Sequence, residues 1–179
     1  MESHDFDKLI CQVAQGDSDS LELLYNACAK GVYALAYSIV KSHAMAEDIM
    51  QDTFVRVWAS ASAFTSRGNG RAWIYRIAKN LSLNAVTRRR ADSLDALTED
   101  NGDKIASDTS TETSAVTSYS IDHALASLPE KEREIITLHS MCGLTLNEIA
   151  SYLDAPLGTV KWRHAQALKK LRTQLSDII

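Results

Sequence analysis

The chain has 179 residues, room for one domain or two small ones, and no apolar run in it approaches the ~20 residues of a membrane span. With 45% hydrophobic residues but only 7 Gly and 2 Pro, its composition favours helices over strands and tight turns. The formal net charge of −4 excludes a uniformly basic surface, so any contact with a polyanion must come from local clusters.

The first residues, "MESHDFDKLICQ", lack a basic start followed by an apolar core, so no secretory signal is expected and the protein is placed in the cytoplasm. Cys11, Cys28 and Cys142 are odd in number and widely spaced, which suits reduced thiols and leaves open a redox role for any of them. The scattered histidines make no metal-ligand spacing with these cysteines, and neither metal nor cofactor is expected.

The first informative element is "AMAEDIMQDTFVRVWASASAF". At helical spacing Ala46, Ile49, Met50, Thr53, Phe54 and Val57 share one face, and Asp48, Gln51, Asp52 and Val55 share the other. An exposed stripe of acids and amides can serve solubility alone. After it, Arg67, Gly68, Asn69 and Gly70 read as a flexible polar loop. The next helix is expected to turn Trp73, Ile77 and Leu81 inward and Arg76 and Lys79 outward. From Arg67 to Arg90 there are seven basic residues and no acid. Aromatics interleaved with bases next to a loop suit single-stranded or distorted nucleic acid.

Charge divides the chain. Residues 1–90 carry net +2, residues 91–120 net −6 and residues 121–179 net 0. The middle stretch, "ADSLDALTEDNGDKIASDTSTETSAVTSYS", is poor in large apolar residues and cannot bury enough surface to offset its ordering entropy. It reads as a linker between two helical domains, 1–90 and 121–179, giving an all-α fold.

In the second domain, Ser127 is the expected cap of the "LPEKEREIITL" helix, with Glu130 completing a capping box, and Gly143 ends it. Thr145 caps "LNEIASYL", with Glu148 three residues on. "DAPLG" breaks that helix, and Thr159 is expected to cap a long helix running to about Leu175. Two short helices across a tight turn suggest a helix-turn-helix. At about 100° per residue, Val160, His164, Ala167, Leu168 and Leu171 face inward. Trp162, Ala165, Gln166 and Lys169 face outward, flanked by Lys161 and Arg163. Those residue types suit a major groove: Lys and Arg for guanine edges or phosphate, Gln for adenine, Ala for the thymine methyl.

No nucleophile elbow, phosphate-binding Gly loop, metal cluster or spaced carboxylate pair is found, so no enzyme and no small-molecule substrate are expected. The order of motifs, over nearly the whole chain, resembles the extracytoplasmic-function (group IV) sigma factors of bacterial RNA polymerase. "AEDIMQDTFVRVW" resembles the family's polymerase-binding stretch, and "RAWIYRIAKNLSLN" its promoter-melting, minus-ten-reading helix. "LPEKEREIITL", "EIASYL" and "GTVKWR" resemble its minus-thirty-five-reading domain.

The resemblance implies core RNA polymerase as partner of Asp48, Gln51, Asp52 and Val55. It implies promoter DNA as partner at two sites. The minus-ten site is Arg67, Gly68, Asn69, Gly70, Arg76, Lys79, Asn80 and Asn84, with the loop holding a flipped base. The minus-thirty-five site is Thr159, Lys161, Trp162, Arg163, Ala165, Gln166 and Lys169. It further implies an anti-sigma factor, often membrane-bound. Asn84 stands where the family usually has Asp, and Trp162, His164, Ala165 and Gln166 also depart from its common residues, so its promoter sequences do not carry over. A stand-alone helix-turn-helix regulator is the alternative, and it would use residues 121–179 alone.

Overall fold

The computed structural model describes residues 3–66, 68–96, 124–125 and 127–176, and every regular element among them is helical. Helices α1 (Ser3–Val13), α2 (Ser18–Val40), α3 (His43–Ser60) and α4 (Gly70–Ala96) form the N-terminal half. Helices α5 (Glu130–Ile136), α6 (Leu146–Leu153) and α7 (Leu157–Ser176) form the C-terminal half. Helix α4 continues past residue 90 to Ala96, and the rest of the acidic segment, 97–120, lies outside the described residues.

Local chemistry sets most boundaries. The Asp17 carboxylate caps α2 by accepting from the backbone N–H of Asp19 at 3.0 Å and of Ser20 at 3.4 Å. Lys41, in the left-handed conformation, ends α2, and Ser42 caps α3. Thr145 and Glu148 form the expected capping box on α6: Glu148 Oε2 accepts from Thr145 N–H at 2.8 Å, and Thr145 Oγ1 accepts from Glu148 N–H at 3.2 Å.

Two expected caps are not caps. Pro129, not Ser127, precedes α5; Ser127 Oγ–H instead donates to Ala124 O at 2.7 Å, and Glu130 is the first helical residue. Helix α7 begins two residues before Thr159, because Asp154 in the left-handed conformation and Pro156 with its fixed φ already turn the chain. Thr159 N–H donates to Pro156 O at 2.9 Å from within the first turn.

Helix α2 packs on α1, α3 and α4. Helix α5 runs on into a π-helical turn, Thr137–Met141, that packs on α2, while α6 packs on α4. One contiguous core therefore spans both halves, joining Phe6, Ile10, Leu24, Val32 and Ile74 to Ile135, Leu138, Leu144 and Ile149. Each such side chain contributes about 1.5–3 kcal/mol by leaving water. The seam is close at Gly31 on α2, where an added Cβ would meet Tyr75 Oη and sit 3.0 Å from the Cα of Cys142.

Candidate nucleic-acid and polymerase interfaces

Helix α3 has the two faces its periodicity implies. Ala46, Ile49, Thr53, Phe54 and Val57 are buried and Met50 is half-buried, while Asp48, Gln51, Asp52 and Val55 are exposed. The outer stripe is longer than expected. Val55 is 68% exposed, and Trp58, three residues on, is 43% exposed. Trp58 was legible from its place seven residues after Gln51 on the same stripe. An uncovered aromatic next to an uncovered Val and two carboxylates has the composition of an anchor with a polar rim.

The α3 stripe adjoins α4. An open groove of about 450 Å³ is lined by Met45, Ile49 and Asp52 of α3 and by Leu81, Asn84 and Arg88 of α4. Asn80, Leu83, Asn84 and Thr87 are exposed on α4. Its buried face runs through Ile74, Tyr75, Ala78 and Ser82 rather than through Trp73, Ile77 and Leu81, which are half-buried. Trp73 packs against the Phe64 ring, 5.1 Å between centroids. The face is displaced because α4 is covered from two directions, by α2 and α3 and by the C-terminal half.

That second cover changes the expected minus-ten set. Arg76 and Lys79 are half-buried and already partnered: Arg76 Nη2–H donates to Ser151 O at 2.7 Å, and Lys79 Nζ is paired with Glu134. Arg71 forks from α4 to Gly143 O and Cys142 O, each at 2.8 Å, and Tyr75 O–H donates to Cys142 O at 3.1 Å. Burial pushes the thiols in this seam up, Cys28 to about 11 and Cys142 to about 12, so both stay protonated near neutrality; Cys11 is exposed. Of the expected minus-ten residues, Asn80 and Asn84 are uncovered, Arg76 and Lys79 are occupied, and Arg67 lies outside the described residues.

The loop is not the flexible coil its composition suggested. The carboxylate of Asp7, buried on α1, accepts from Ser66 Oγ–H at 2.7 Å, Gly68 N–H at 2.7 Å and Gly70 N–H at 2.6 Å. No sequence signal marked Asp7, because its partners lie about sixty positions away.

Helix α7 presents the other candidate face. Val160 and Ala167 are buried and His164 and Leu171 half-buried, as expected, but Leu168 is exposed. At 100° per residue Leu168 falls about 80° from Val160, at the edge of the packed stripe. Trp162 is 60% exposed; Lys161, Ala165 and Lys169 are exposed, and Thr159, Arg163 and Gln166 half-buried. Lys170, on the Gln166 side, is held by the Glu132 carboxylate at 2.8 and 3.0 Å.

His164 meets the edge of the His139 ring, 4.8 Å between centroids, and His139 Nδ1–H donates to Leu144 O at 2.8 Å. Burial, then the neighbouring His139, holds the His164 pKa below its ordinary 6.5. The unfolded chain therefore takes this proton first, so the contribution of His164 to stability is present above about pH 6.5 and is lost as pH falls through the lower folded value. The wild-type thermal midpoint should drop more between pH 7.5 and 5.5 than that of His164→Gln. Equal drops would show that His164 does not titrate differently on folding.

Residues 24–91 match the family Sigma-70 region 2, and residues 124–173 match Sigma-70, region 4. The chain is 32% identical to the ECF RNA polymerase sigma factor SigW of Bacillus subtilis, over 96% of this chain and 97% of that protein. It is 33% identical to the ECF RNA polymerase sigma factor SigE of Mycolicibacterium smegmatis, over 90% of this chain and 64% of that one. In fold it is similar to CnrH in complex with the cytosolic domain of CnrY, with TM-score 0.67, 21% identity and cover of 97% and 98%. It is similar also to the sigma factor RpoE of Bartonella quintana, solved with the anti-sigma factor NepR, with TM-score 0.65, 24% identity and cover of 89% and 98%.

Proposed function

The chain belongs to the extracytoplasmic-function sigma factors of RNA polymerase, and we propose that it binds core polymerase through α3, opens and reads a minus-ten element with α4 and the loop before it, and reads a minus-thirty-five element with α7. The observation that carries this division of labour is the uncovered stripe from Asp48 to Trp58 lying beside the Asn84–Arg88 groove. A polymerase seated on α3 would bring DNA strand to α4. In this reading residues 1–90 act with polymerase and the minus-ten strand, and residues 121–179 with minus-thirty-five duplex. The acidic segment between them, net −6, imitates a nucleic-acid strand toward positively lined channels of polymerase. The protein works in the cytoplasm, under an anti-sigma factor that is membrane-bound or soluble. A stand-alone helix-turn-helix regulator accounts for the second matched region and leaves the α3 stripe unused.

A shift assay on promoter duplex, with and without core polymerase, tests the reading: specific binding should need core. Reversing the exposed charges, Asp48→Lys with Asp52→Lys, should weaken core association roughly tenfold while the circular dichroism spectrum is unchanged. Unchanged affinity in a pull-down would remove α3 as the polymerase face.

A further inference from the structure

We propose that Asp7 is a positioning residue for the loop before α4, holding its backbone in the shape that meets the minus-ten strand; this rests on the reading of the loop given above. Asp7 is 3% exposed, and donors from that loop engage both of its carboxylate oxygens. Gly70 N–H reaches Oδ1, while Gly68 N–H and Ser66 Oγ–H share Oδ2. Hydrogen bonds to an ionised acceptor at 2.6–2.7 Å are of the short, charge-assisted kind.

Gly70 is the first residue of α4, so Asp7 does from another helix what an N-cap side chain does from the preceding residue. The approach is close enough to require glycine: a Cβ on Gly70 would lie 2.7 Å from Asp7 Oδ1 and 2.9 Å from Ile10 Cδ1.

The consequence falls on Asn69. Its neighbours' amides are committed to Asp7, and its own carbonyl accepts from Trp73 N–H at 2.9 Å. Asn69 Oδ1 is buried and has no hydrogen-bond partner among the described residues. A loop so fixed holds the half-buried Asn69 in one place, with the capacity of its covered amide oxygen unused. A flipped base can then be met without the cost of ordering the loop at the moment of binding. The brace comes from α1, ahead of the stretch that matches region 2.

The test uses the full chain with core polymerase. Asp7→Asn keeps the size of the side chain but removes its charge and turns an NH₂ toward donors. Amide exchange at Gly68 and Gly70 should accelerate about 10- to 100-fold, the loss of a charge-assisted bond. Transcription from a randomised promoter should show altered base preference in the minus-ten element, with minus-thirty-five preference and core affinity unchanged. A merely structural Asp7 would lower the thermal midpoint without changing which base is preferred. Ser66→Ala, which removes one donor and leaves the charge, should shift preference the same way by less, and serves if Asp7→Asn does not fold.

Replacement of residues 67–70 is run beside these variants. If that replacement alters minus-ten preference and the Asp7 and Ser66 variants do not, the inference is overturned and the reading of the loop stands. If none of them alters it, the loop is not the reader and the inference falls with it.

Discussion

Arg71→Ala combined with Glu134→Lys is expected to part the two helical halves. Arg71 makes two charge-assisted bonds to carbonyls of the C-terminal half, and Glu134 pairs with Lys79 across the seam. Losing such bonds, or replacing a part-buried attraction by repulsion, costs about 1–3 kcal/mol at each site. Neither Arg71 nor Glu134 is itself proposed to contact DNA, although Glu134→Lys frees Lys79.

The radius of gyration should rise from the roughly 16 Å expected of a compact chain of this length. Cys28 and Cys142, buried in the seam, should become open to thiol reagents that reach only Cys11 in the wild type. Lys79→Glu added to Glu134→Lys should restore protection if the pair itself holds the seam. Unchanged scattering and protected thiols would show that the apolar core alone keeps the halves together.

The same contacts bear on how DNA is engaged. Elements named for minus ten and minus thirty-five are about 25 base pairs apart, roughly 85 Å of duplex at about 3.4 Å per pair. A closed chain cannot span that distance, and it holds Arg76 and Lys79 against the C-terminal half. Engagement of both elements therefore requires separation, and the parted variant should bind single-stranded minus-ten DNA better than the wild type because two cations are released.

Much of this was legible locally. The two faces of α3, the Thr145–Glu148 capping box and the inward stripe of α7 follow from helical period and cap chemistry, which act within a few residues. What period could not show is the packing of α4 on two sides. Its partners Cys142, Ser151 and Glu134 lie 55–75 positions away, and its buried face moved from Trp73 and Ile77 to Ile74, Tyr75 and Ala78 as a result. The Asp7 brace escaped for the same reason. Threonine favours a cap position, yet Pro156 and the left-handed Asp154 begin the helix before Thr159 is reached.

Gln166→Ala and Lys161→Ala are expected to differ in kind on minus-thirty-five DNA. Taking Val160 as the inward direction at 100° per residue, Lys169 and Trp162 lie nearly opposite, Ala165 and Gln166 to either side of them, and Lys161 near a right angle. Trp162, Ala165 and Lys169 are exposed accordingly, and Gln166 is half-buried beside the flank where Lys170 is held by Glu132. A half-buried amide is pre-positioned, which suits a bidentate contact to one adenine edge. Gln166→Ala should cost about 1–3 kcal/mol at one base position and relax preference there. Lys161 stands on the rim, where a cation meets phosphate. Lys161→Ala should weaken binding to every sequence and shallow the salt dependence by about one unit. Titrations of the polymerase-bound protein on randomised minus-thirty-five duplexes at several salt concentrations separate the two effects. If Gln166→Ala weakens all sequences alike while Lys161→Ala changes the preferred base, the helix enters the groove rotated by about a quarter turn. The reading edge would then include the His164 side of α7.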